Sequence, residues 1–111
     1  MTSPYVSFPV TETIELRELS DLRRVVDKMV ESYERQVADS SFSYRILLPR
    51  GEKATGKAKR LGVSLQGEFL LALRRKKLSP QVRELRYLHD ENHYGWLLAS
   101  PKIFENFEKK A

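Results

Sequence analysis

Leu22, Val25, Val26, Met29, Val30, Tyr33 and Val37 recur at intervals of three and four residues, and nothing else in the chain limits its fold so tightly. That spacing puts all seven side chains on one face of a helix. Ser20 stands where an N-cap is expected, so the pattern predicts a helix over 20–37, about five turns long. An apolar stripe of this length must be covered. It either packs on the domain's own core or forms a homodimer through the 20–37 helix.

The flanking segments supply the cover. Val6, Phe8 and Val10 alternate with polar or turn residues, which predicts a strand or arm near the N-terminus that Pro9 confines to a sheet edge. Phe42, Tyr44, Ile46 and Leu48 alternate as a buried strand ending at Pro49-Arg50-Gly51. A short helix over 52–60 follows, closed by Gly62, and Ser64 caps a second helix over 65–77. Ser79-Pro80 ends that helix. A hairpin is expected next, with a strand late in 82–88, a polar turn at 89–93, and the apolar run Tyr94-Gly95-Trp96-Leu97-Leu98. Ser100-Pro101 opens a terminal helix carrying Ile103, Phe104 and Phe107. The expected division is an N-terminal arm or edge strand over 1–19 and one domain over 20–111.

Composition narrows the class. A chain of 111 residues, 41% hydrophobic and 32% charged, has the make-up of one folded domain. No apolar run reaches the ~18 residues of a membrane span, and residues 1–10 lack the layout of a signal peptide, so the expectation is a cytoplasmic protein with no membrane contact. With no cysteine, disulfides, thiolate zinc sites and thiol nucleophiles are excluded. The charge is uneven: residues 1–43 carry a net −3 and the remaining residues +8. A basic half of this kind suits a polyanion, because each cation placed on a phosphate releases condensed counterions.

The most specific stretch is Ala58-Lys59-Arg60-Leu61-Gly62-Val63-Ser64, followed by the basic run Arg74 to Lys77. The order helix, strand, helix, helix, hairpin over about residues 20–100 resembles winged helix-turn-helix DNA-binding domains. Ala58 stands at the close approach of two helices, Leu61 and Val63 flank the turn, Gly62 takes the turn position, and Leu71 matches a core position. The resemblance implies a small winged-helix-like α+β domain whose 64–77 helix enters the major groove, with the turn at 90–93 as the wing. Lys57, Lys59, Arg60, Ser64, Arg74, Arg75, Lys76 and Lys77 become nucleic-acid contacts, with Gln66 and Arg74 as base readers. The implied function is a double-stranded DNA-binding regulator, not an enzyme. A rival resemblance, on Ile46-Leu47-Leu48, residues 58–63, Gly67, Pro80-Gln81-Val82-Arg83, Gly95-Trp96 and Ser100, is to the C-terminal half of PIN-like ribonucleases. Pro49-Arg50 stands where that family has an acidic residue, which implies an inactive remnant.

Other patterns are weaker. His89-Asp90-Glu91-Asn92-His93 has its histidines at metal-ligand spacing for a helix, but its hairpin setting reads as a solvated turn, so no metal and no cofactor is expected. Residues 51–57 match the start of a phosphate-binding loop, yet Ala58 replaces the Ser or Thr that would ligate magnesium. Tyr87, Tyr94 and Trp96 serve either as packing or as a stacking platform for single-stranded DNA or RNA. A basic half that grips an acidic protein, making the chain an assembly subunit or inhibitor, is the alternative from another functional class.

Overall fold

The computed structural model describes residues 3–36, 41–51 and 55–110. The element order is β1 (Glu12–Glu15), α1 (Leu22–Arg35), β2 (Ser43–Pro49), α2 (Thr55–Arg75), β3 (Arg83–Leu88), β4 (His93–Ala99) and α3 (Pro101–Lys110). Short 3-10 turns precede β1 at Pro4–Ser7 and α1 at Leu19–Asp21. The fold is α+β. Its four-stranded mixed sheet has the order β1-β2-β4-β3, with β1 parallel to β2 and the other pairs antiparallel.

Alternation along the strands divides the core in two. On one face Ile14, Leu16, Tyr44, Ile46, Leu48, Trp96 and Leu98 meet α1 through Val25, Val26, Met29 and Val30, and α2 through Ala58, Leu61, Leu65, Phe69 and Leu73. On the other face Tyr87, Leu97 and Ala99 meet Phe8 from the N-terminal segment and Phe104 from α3. β2 is covered on both faces, which is why Ser43 and Arg45 are buried in it beside its apolar residues.

The expected helix, strand, hairpin and terminal helix are present, with three corrections. No break occurs at Gly62: α2 runs unbroken for 21 residues, so the helix-turn-helix is replaced by one rigid rod. Gly62 is there for close approach, because a Cβ at that position would overlap the six-membered ring of Trp96. The N-terminal strand lies at Glu12–Glu15, not 6–10, and is an edge strand, while Phe8 and Leu16 enter the two cores. Ser20 does not cap α1, since it sits inside the preceding 3-10 turn.

The hairpin pairs β3 with β4, and β4 lies between β2 and β3 inside the sheet. The described residues of the α1 stripe pack on the domain's own core. Val37 and residues 52–54, including the middle of the phosphate-loop match, lie outside the described residues. No helix among the described residues is long and apolar enough to cross a membrane.

Candidate nucleic-acid interface

At about 100° per residue, α2 buries Ala58, Leu61, Leu65, Phe69 and Leu73 and turns Arg60, Val63, Gly67, Leu71 and Arg74 to solvent as one outer stripe. From Arg60 to Arg74 that stripe spans about 21 Å at 1.5 Å per residue. Lys59 lies on the flank toward β3, beside Arg86. Arg75 lies on the flank toward α1, beside Glu68 and Asp27.

The helix ends in a left-handed turn. Leu78 N–H donates to the Leu73 carbonyl (2.9 Å) and Lys77 N–H to that of Arg74 (2.9 Å), with Lys77 at φ 63°. This is a Schellman closure, in which the apolar residue after the left-handed position packs back on the last turn. It directs the basic run Arg74 to Lys77 around the end of the rod.

Ion pairing sorts the basic residues. Lys57 Nζ lies 2.8 Å from Glu18, and Lys76 Nζ lies 2.8 Å from Glu34. These two cations tie the ends of α2 to the acidic N-terminal half. Lys59, Arg60, Arg74, Arg75 and Lys77 are exposed and make no ion pair among the described residues. Ser64 and Gln66 are half-buried on opposite flanks of the helix, so neither shares the outer stripe with Arg74. The middle of that stripe is apolar: Val63 is 53% exposed and Leu71 37%.

The aromatic residues do not form a free stacking platform. Trp96 is 2% exposed, and the Arg86 guanidinium lies over its ring, 4.3 Å from the centroid. Tyr87 is buried on the opposite face, and Tyr94 is half-buried. Beside Trp96 runs a groove of about 350 Å³ between α2 and β3, with Lys59 and Arg86 on its rim.

Two arginines with structural roles escape sequence reasoning. Arg45, 7% exposed, donates Nη2–H to the carbonyls of Tyr5, Val6 and Phe8 (each 3.0 Å), and its Nε–H donates to Tyr87 Oη (2.6 Å). It therefore clasps the N-terminal turn to the sheet. With its oxygen already accepting from Arg45, the Tyr87 hydroxyl proton is available to His89 Nδ1, 2.7 Å away. Burial, and then the Arg45 cation, hold the His89 imidazole below its ordinary pKa, and burial pushes the Tyr87 hydroxyl up. The other arginine is Arg86, on the exposed face of an edge strand. A charged residue at an alternating position inside an apolar strand was the available signal for Arg45.

The two histidines do not share a ligand geometry. His93 Nδ1 turns to Asp90 (3.0 Å) while His89 turns to Tyr87. Among the described residues no three metal-ligating side chains converge. No protein family, curated protein or solved structure matches the chain.

Proposed function

We propose that this chain is a small nucleic-acid-binding protein that grips the phosphates of double-stranded DNA along the outer face of α2. The observation that carries the proposal is the set of exposed cations that make no ion pair among the described residues, Lys59 and Arg60 near one end of the rod and Arg74, Arg75 and Lys77 at the other. Their separation of about 21 Å is enough to reach both backbones across a major groove about 12 Å wide. The stripe between them offers Val63, Gly67 and Leu71, which have no side-chain donors or acceptors for base edges. Binding is therefore governed by the phosphates and tolerant of sequence, and the helix-turn-helix plays no part in it.

Fluorescence anisotropy of labelled duplex DNA, single-stranded DNA and RNA tests the reading. Duplex affinity should fall about 10²–10³-fold between about 50 and about 200 mM salt. Each of the double variants K59A/R60A and R74A/R75A should reduce the slope of log K against log salt by roughly two. No binding to any of the three probes overturns the proposal, and a preference for RNA moves it to that partner.

A second reading, docking of an acidic protein, is favoured by the exposure of Val63 and Leu71 at the centre of the cationic face. It predicts no nucleic-acid affinity, and loss of one defined partner when Val63 and Leu71 are both changed to serine.

A further inference from the structure

We infer that β3 is a self-complementary edge through which two copies of this chain join their sheets antiparallel, with Leu85 on the two-fold axis. The inference is independent of nucleic-acid binding and rests on the two unlike edges of the sheet.

β1 is a blunted edge. It has four residues and runs parallel to β2, with Glu12 and Glu15 at its two ends. β3 is not blunted. Its register with β4 runs from Arg83 to Leu88 without a bulge, and it contains no proline or lysine. At the mouth of the hairpin His89 N–H donates to the His93 carbonyl (3.2 Å). Antiparallel pairing alternates, so Tyr87, Leu85 and Arg83 also bond toward β4. Glu84, Arg86 and Leu88 therefore turn their backbone N–H and C=O outward.

A second β3 centred on Leu85 meets those groups in phase. Glu84 of one copy stands opposite Arg86 of the other, a pair that exchanges backbone hydrogen bonds, and the symmetry repeats it once. Within one strand Arg86 Nη2 already lies 3.5 Å from Glu84 Oε1. Pairing two strands thus makes a square of four alternating charges on one face. Glu84 Oε2 has no hydrogen-bond partner among the described residues, and rotation of the carboxylate toward the incoming guanidinium gives it one. Next to the square, Leu88, 55% exposed, falls opposite the half-buried Val82 of the other copy. On the reverse face Leu85 meets its own symmetry mate. Moving the axis to Glu84 or Arg86 would set like charges directly opposite each other.

The chemistry of this surface fits a second copy of itself. A six-residue strand pair with short flanks is a small interface, so the dimer is expected to be weak and dependent on concentration. Sedimentation velocity from about 5 to about 500 µM should show wild-type protein moving from monomer toward dimer. E84R alone and R86E alone place four like charges in the square, and each should stay monomeric. The two variants mixed one to one place arginines opposite glutamates throughout, and the mixture should recover a heterodimer. The double variant E84R/R86E should dimerise as the wild type does. R86E and the double variant both remove the cation over Trp96, so tryptophan fluorescence checks that each folds; where they do not, the wild type and E84R decide the matter. Wild-type protein that stays monomeric over the whole range, a folded single variant that still dimerises, or a folded double variant that does not regain dimerisation would each overturn the inference.

Discussion

The two faces of the sheet solve one packing problem with different chemistry. On each face an aromatic ring lies against a glycine: Trp96 against Gly62 of α2 on one, and Tyr87 against its cross-strand neighbour Gly95 on the other. The core on the Trp96 face is apolar and locks α2 to the sheet. On the Tyr87 face the ring brings a hydroxyl, and that hydroxyl with Arg45 fastens the N-terminal turn and reaches a titratable imidazole. One face is thus held by shape, and the other by a hydrogen-bonded cation beside a titratable imidazole.

The largest effect is expected where that cation is removed. Arg45→Met leaves a buried hydroxyl and three carbonyls without their donor and should cost about 2–4 kcal/mol in urea unfolding. Chymotrypsin should then cut earlier after Tyr5, since Pro9 protects the bond after Phe8. An undiminished urea midpoint would mean that the clasp is ornamental.

On the apolar face the decisive contrast lies within one helix. Alanine normally stabilises a helix interior over glycine, yet Gly62→Ala should destabilise the protein by about 1–3 kcal/mol because the new methyl group overlaps Trp96. Gly67→Ala meets nothing within 4 Å and should stabilise it by about 0.8–1 kcal/mol. Equal signs for the two would break the account of α2 as a continuous rod pressed on Trp96.

The smallest effect is the pH response of the polar face. Because His89 is held below its ordinary value, the folded state binds fewer protons than the unfolded one as pH falls below about 6.5. Stability is therefore full above that pH and declines as pH falls through the lowered value. His89→Gln should flatten the decline between about pH 7 and pH 5, read from urea midpoints.

Periodicity carried most of the fold. The helix of Leu22 to Tyr33, the alternation at Tyr44, Ile46 and Leu48, and the polar turn before Tyr94 are all local patterns, and each forms the element its spacing predicts. Gly62 was misread because a glycine that makes room for a distant ring looks the same in sequence as one that makes a turn. Only the fold brings Trp96, 34 positions along the chain, against it. The strand at Glu12–Glu15 has too few apolar residues to signal itself, and it exists because β2 offers an edge. For the candidate interface, the basic residues were legible as a composition. Which of them Glu18 and Glu34 neutralise depends on contacts across the whole chain.

The most direct test of the central claim, that the outer face of α2 is the binding surface, is an amide chemical-shift map of the protein titrated with a short DNA duplex at low salt. Shifts concentrated at Lys59, Arg60, Val63, Gly67, Leu71 and Arg74, with the N-terminal turn and α3 undisturbed, are the predicted result. Shifts confined to other surfaces, or none at saturating duplex, would contradict it.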